Sequence, residues 1–379
     1  MHALQSREEI AASIDQNASA ASNSWAGIDK LSIHFSDNPG TSGGQLYRNG
    51  KNQVGVTVQT RAVDSRRNWI IPDQDLLQRI FSALWLVNGE NLAQFSWNNG
   101  QQNNWCFSDV RNAFLTTPSG GAAVVREQHS LSATVGDDGT IYFQFYVTCP
   151  YQVTLASISI AAQIKGVPDG HGGSQNMDCA GKTSGITAST VSITSHEPPN
   201  FSPSELQYFP TRTIVNGDAP SNHKDSKNWL FEYQWSAPPA FPIHSAEWVS
   251  GENWTYYTNF QCGNPKSGYL WMAGGRIHLP GTTYNGNTQS YLLSNYWYSG
   301  SVDRPFSVTT ANNAIKLTRF ITGNYSYIDG DAGNFNRTGD HQVKVTDIYG
   351  TVRWLTIRAF TTADEGNRPP ITSAIDTHG

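Results

Sequence analysis

Apolar residues recur at every second position through much of this chain. Val54, Val56 and Val58 alternate with polar neighbours, as do Ile141, Phe143, Phe145 and Val147. A period of two puts alternate side chains on opposite faces of a pleated strand, so these runs read as strands with one face buried. Leu155, Ile158 and Ile160 form a nearly continuous apolar run, and Ile186 to Ile193 forms another. Further on, Trp229, Phe231, Tyr233 and Trp235 alternate with Leu230, Glu232 and Gln234, which gives one face of a strand to aromatic rings. Ala314 to Thr322, His341 to Asp347 and Val352 to Phe360 are further strands, the last two joined as a hairpin at Tyr349-Gly350. Asn49-Gly50, Asn99-Gly100 and Asp138-Gly139 stand at or near strand ends, where tight turns need residues that tolerate positive φ.

Two segments depart from this period. Ser6 and Glu9 form a capping-box pattern ahead of Ile10, Ala11 and Ile14, which predicts a short helix over Ser6 to Gln16. Leu76, Leu77, Ile80, Phe81, Leu84 and Trp85 recur at helical spacing after Pro72 and Asp73, with Asn88-Gly89 as a stop. Phe81 to Val87 has a rival reading as a buried strand, because a short apolar run does not declare its period.

From Ser195 to Glu205, three prolines remove ladder donors and mark a boundary. The predicted organisation is a helical arm over 1–26, a first domain over 27–196, a Pro-rich linker over 197–204, an aromatic-rich second domain over 205–362 and a polar tail over 363–379 that packs little. No repeat of solenoid or propeller type is visible. The expected fold class is mostly β: two antiparallel β-sandwich domains, Ig-like or jelly-roll-like, with a short N-terminal helix and one internal helix. The length of 379 residues agrees with two cores, since a single core stops growing near ~250–300 residues.

A formal net charge of −5, with Lys and Arg scattered, provides no basic field for phosphates, so nucleic acid is not an expected partner. The apolar runs fall short of the ~18 residues of a membrane span. The start of the sequence shows no secretory signal pattern, while the richness in Asn, Gly, Thr and aromatics has an extracellular flavour. The expectation is therefore release by a signal-less route or a cytosolic storage form. Cys106, Cys149, Cys179 and Cys262 are irregularly spaced, with no Cys-x-x-Cys pair. Buried free thiols are expected, with Cys149–Cys179 as the pairing to favour if any bond forms.

Candidate chemistry centres on Phe95 to Phe107, where Trp97 and Trp105 bracket Asn98, Asn99, Gln101, Gln102, Asn103 and Asn104. Indole faces and neutral amides suit polyhydroxyl or peptide partners. The alternative is that both indoles point inward and hold a hairpin. A second aromatic-dense stretch includes Trp254, Tyr256, Trp271 and Trp297, which serve either a surface or a buried contact. Asp329, Asp331, Asn334 and Asn336 place side-chain oxygens as a Ca2+ loop does, without an EF-hand's closing glutamate. No other cofactor is implied, although His171 with Asp169, Asp178 and Cys179 forms a weaker transition-metal pattern.

Catalytic motifs fail. Gly40-Thr41-Ser42-Gly43-Gly44 matches a nucleophile elbow in letters but lacks the strand before and the helix after it. Glu232, Glu247, Glu252 and Asp340 are conceivable glycosidase carboxylates with nothing in sequence to pair them. The expected function is non-enzymatic recognition of a host surface, glycan or protein, as in a toxin or adhesion system. Self-assembly into a fibre, shell or crystalline inclusion, with a homo-oligomer as partner, is the second reading, and a carbohydrate-active hydrolase the third.

Overall fold

The computed structural model describes residues 24–41, 43–98, 103–115, 133–154, 157–198, 205–218, 227–248, 261–266, 269–287, 305–326, 340–358 and 371–375. It is mostly β, with several antiparallel and mixed sheets. The chain divides into two compact units after Pro198. The predicted helix over Ser6 to Gln16 lies outside the described residues.

The first unit runs β1 (Gly27–Phe35), β2 (Gly43–Tyr47), β3 (Val54–Val63), α1 (Gln74–Ala83), β4 (Leu84–Asn88), β5 (Ser96–Trp97), β6 (Cys106–Ser108), β7 (Ala133–Val135), β8 (Thr140–Thr148), β9 (Ser157–Pro168), β10 (Ser174–Asp178) and β11 (Val191–His196). One sheet has the order β1-β3-β8-β6-β5, with β7 also on β8; the other has the order β10-β9-β11-β2, with β4 on β9. Val56, Val58, Phe143 and Phe145 of the first sheet share one core with Leu86, Ile160, Ala162 and Ile193 of the second. The alternation in β3 and β8 is what builds it, since every second side chain of each strand points into this core.

Three expectations are corrected here. The sheets are not purely antiparallel, because β2 pairs with β11 and β5 with β6 in parallel. Alternation fixes which face is buried and leaves strand direction open. The helix ends at Ala83, five residues before Asn88-Gly89. Asp73 caps its start by accepting the Leu76 N–H at 2.9 Å, and Leu76, Ile80 and Phe81 are buried. Leu84 then turns extended, and β4 pairs with β9 from Leu84↔Ile164 to Asn88↔Ile160. Each reading therefore holds for part of the segment: Phe81 to Ala83 belong to the helix, and Leu84 and Trp85 to the strand. Of Ile186 to Ile193 only the end is strand: Ile186 is buried in a loop, and β11 begins at Val191.

The second unit contains β12 (Gln207–Asp218), β13 (Lys227–Ser236), β14 (Ile243–Trp248), β15 (Gln261–Lys266), β16 (Tyr269–His278), β17 (Thr283–Asn287), β18 (Pro305–Thr309), β19 (Ala314–Ser326), β20 (Asp340–Asp347), β21 (Val352–Arg358) and β22 (Ile371–Ile375). The sheet orders are β12-β13-β19-β16-β15, β14-β20-β21-β22 and β17-β18. Tyr233 and Trp235 of the aromatic strand lie in a core with Ile277, Leu317, Val343, Val345 and Leu355. The tail was expected to pack little, yet 371–375 pairs with β21 as β22. Its Pro369-Pro370 precedes the strand rather than interrupting it, which is where proline is tolerated.

Candidate functional site

The two bracketing indoles point inward. Trp105 is 4% exposed and stacks on Phe95 at 6.2 Å between centroids. Trp97 meets Phe107 at 5.1 Å, Phe81 at 5.9 Å and Phe145 at 6.4 Å, all edge-on, at the margin of the core. The segment is not a hairpin: β5 and β6 are parallel, held by Ser96 N–H to the Trp105 carbonyl at 2.8 Å and Asn98 N–H to the Phe107 carbonyl at 3.0 Å. The Asn104 amide donates to the Gln94 carbonyl at 2.8 Å, within the loop. Asn98, at a φ of 52°, and Asn103 are exposed. Asn99, Gln101 and Gln102 lie outside the described residues, as do Trp254, Tyr256, Trp297, Asp329, Asp331, Asn334, Asn336, Ser42 and Glu252. Trp271 stands on β16 and Asp340 at the start of β20, with side chains outside the described part.

The remaining candidates are occupied by their neighbours. Asp169 accepts the His171 and Gly173 N–H groups, and Asp178 accepts those of Ala180 and Lys182 together with the Thr183 hydroxyl. These are turn-closing carboxylates, and no metal-holding group of three His, Cys, Asp or Glu occurs among the described residues. Glu232 meets Lys316 at 2.9 Å and Glu247 meets Lys344 at 3.1 Å, on different sheets. Cys106, Cys149 and Cys179 are free and buried, so the Cys149–Cys179 bond is not formed.

A different surface emerges from the strand register. The polar positions between the core residues of β1, β3 and β8 all fall on the outward face of the first sheet, and cross-strand pairing lines them into rows. One row is His34–Thr57–Gln144, the next Ser32–Gln59–Tyr142–Thr134, and a third Gly55–Tyr146–Ser108. His34, Thr57, Gln144, Ser32, Gln59, Tyr142, Thr134 and Ser108 are partly or fully exposed, whereas Tyr146 is buried. They are hydroxyls, amides, phenols and one imidazole, able to donate and accept. His34 is held below the usual imidazole range, first by burial and then by Lys30, so it is neutral at physiological pH. Charge enters only at the margins. At one end Arg61 binds Asp29 through two contacts of 2.9 Å and reaches Asp138 at 3.3 Å.

At the other end, next to Tyr146, lies a shallow depression with room for about one water, open to solvent and lined by Asp37, Gln53, Gly55, Arg111, Phe114 and Tyr146. Its rim is a loop fixed by side-chain amides. Gln53 donates to the Val110 carbonyl at 3.1 Å and accepts the Asn112 N–H at 2.8 Å. Asn112 donates to the Lys51 carbonyl and accepts the Phe114 N–H at 3.1 Å, and Asn52 donates to the Leu115 carbonyl at 2.6 Å. Burial raises the Tyr146 phenol above its usual range, with Arg111 pulling it down and Asp37 pushing it up. The phenol therefore stays a neutral donor and acceptor between opposite charges.

None of these residues stood out in sequence. The signal was present in the polar half of each alternation, Thr57 and Gln59 or Tyr142, Gln144 and Tyr146, but an ordinary solvated face has the same period.

No known family model matches the chain, and no curated protein matches its sequence. Among solved structures it is weakly similar to the CupB6 tip adhesin from Pseudomonas aeruginosa, at 11% identity and a TM-score of 0.21, over 92% of this chain and 99% of that one. The C-terminal domain of the Streptococcus agalactiae AgI/II polypeptide BspA matches at 10% identity and a TM-score of 0.20, over 91% of this chain and 98% of that one. The C-terminal domain of the Streptococcus pyogenes antigen I/II-family protein AspA matches at 8% identity and a TM-score of 0.20, over 92% and 99%. Likeness at this level carries no argument about function. Among the described residues no helix is long and apolar enough to cross a membrane.

Proposed function

We propose that this chain is a non-catalytic recognition protein that uses a sandwich-type scaffold to present the outward face of its first sheet to a glycan or protein surface, in the manner of an adhesin. The observation that carries this reading is the register of that face, where the Tyr142 phenol, two glutamine amides, a neutral imidazole and several hydroxyls form a pre-aligned uncharged array. Such groups, set on rigid strands, orient a polar partner at little ordering cost. Binding is preferred to turnover because the described candidate carboxylates, Glu232 and Glu247, are each tied to a lysine. A glycan array and a pull-down on the intact protein test the proposal. Tyr142→Ala and Gln144→Ala are expected to weaken binding about ten-fold each, and a wild type that binds nothing removes the case.

Self-association is a second reading, favoured by Trp69 at 49% exposure and Ile71 at 61% beside the β7–β8 turn. Ile70, between them, packs on the core, so the outward placing of its neighbours follows from alternation. Contiguous exposed apolar surface marks contact sites. Light scattering at high concentration tests it: a strict monomer counts against assembly, and Trp69→Ser should lower any observed mass.

A further inference from the structure

Resting on the self-association reading above, we infer that two copies of this chain pair about a two-fold axis at the edge that carries Trp69 and Ile71, with Arg67 of each copy set against the partner's Asp137. The contact has an apolar centre and one unmatched charge of each sign beside it.

The centre is built by two segments that touch. Trp69, Ile71 and Val135, at 49%, 61% and 38% exposure, are three of the five large apolar side chains exposed among the described residues. Trp69 and Ile71 follow β3, and Val135 ends β7 at the start of the turn into β8. The two segments meet at Gly139 of that turn, where a Cβ would come within 2.7 Å of the Ile70 carbonyl oxygen and 3.3 Å of Trp69 Cε3. The exposed apolar groups therefore gather at one edge of the first sheet, as contact sites do.

The charges select the occupant. Asp64 closes the turn before Trp69 by accepting the Arg66 and Asn68 N–H groups at 2.8 Å each, and it is also the charged neighbour of Arg66. Asp138 is likewise engaged, by Arg61 at 3.3 Å and by the Thr140 N–H and hydroxyl at 3.0 and 2.8 Å. Arg67 and Asp137 remain. Both are exposed, and neither side chain has an ion-pair partner among the described residues. A partner surface of one sign would be repelled by one of the two. A second copy turned by a two-fold rotation brings an Asp to each Arg, so the patch complements itself. Such a contact uses the same patch on both copies and stops at two.

Sedimentation of the full chain over a concentration series tests the pairing. The wild type is expected to show a monomer–dimer equilibrium with no larger species. Arg67→Glu and Asp137→Lys each set like charges together twice per dimer, and each should raise the dissociation constant at least about ten-fold. Mixed one to one, the two variants are complementary at both contacts, so a heterodimer should return at close to the wild-type affinity. Both positions are exposed, so the fold is retained in either variant, which circular dichroism checks. If the wild type associates but the variants do so equally well, or if their mixture gives no heterodimer, this pairing is wrong and association runs through another surface. Growth beyond two copies overturns the two-fold closure. A strict monomer at high concentration removes both the pairing and the self-association reading.

Discussion

The hydroxyl of Ser189 accepts the Ile33 N–H at 3.1 Å and donates to the Ile33 carbonyl at 3.0 Å, across 156 positions of sequence. Ile33 lies on β1, the outermost strand of the first sheet, so both groups belong to an edge that no strand covers. One side chain thereby closes a pairing site that would otherwise recruit another chain. Ser189→Ala should destabilise the protein by about 1–3 kcal/mol through two orphaned backbone groups. Urea denaturation should show a lower midpoint at an unchanged slope, with increased light scattering on standing. An unshifted midpoint would mean that water replaces the serine without loss.

The buried thiols give a pH dependence of definite sign. Burial pushes Cys149 up to about 12 and Cys179 up to about 11, from an ordinary 9.0. In the unfolded chain both ionise above pH 9, while the folded chain keeps the proton, so the folded state binds more protons in this range. Stability is therefore full below pH 9 and falls as pH rises toward 11 and 12, by about 1.4 kcal/mol per pH unit per thiol. Thiol labelling at pH 8 followed by peptide mass spectrometry should leave Cys106, Cys149 and Cys179 unmodified in the native protein and modify all three in guanidinium chloride. Rapid native labelling of Cys149 contradicts the assigned burial.

The β class and its core strands were legible because alternation is a local property. Val56 and Phe143 declare their burial whatever strand they pair with. Direction was not legible: β2 and β11 lie some 145 positions apart, and nothing in either run says that they lie parallel. The candidate site was the harder part. Trp97 and Trp105 drew attention because they flank amides, but large rings contribute most when buried, and the short parallel β5–β6 pair turns them into the core. The face that fits recognition better consists of common residues, and only the register assembling His34, Gln59, Tyr142 and Gln144 makes it unusual.

In the second unit the Asp347 carboxylate meets Arg353 at 2.7 Å with both side chains almost wholly buried, and its other oxygen accepts the Tyr349 and Thr351 N–H groups at 2.9 Å each. The turn between β20 and β21 is thus built around one charge. Asp347→Ala strands the guanidinium and opens the turn, for an expected loss of about 3–5 kcal/mol. Hydrogen exchange should show the amides of Val343, Val345 and Leu355 losing protection while those of Val56 and Phe143 keep theirs. Equal loss in both units would mean that they unfold as one.

The contrast between Trp105 and Tyr142 separates holding the fold from holding a partner. Trp105 is buried against Phe95, whereas Tyr142 is partly exposed in the middle of the outward face. Trp105→Ala should cost about 3–5 kcal/mol of stability by leaving a cavity, with glycan or protein affinity unchanged in whatever fraction stays folded. Tyr142→Ala should leave the urea midpoint within about 1 kcal/mol, as an outward-facing position does, and lower affinity instead. Measuring both quantities on both variants distinguishes the alternatives. If Trp105→Ala abolishes binding at full stability, the amide-rich loop is the recognition element after all, and the sheet face is only its support.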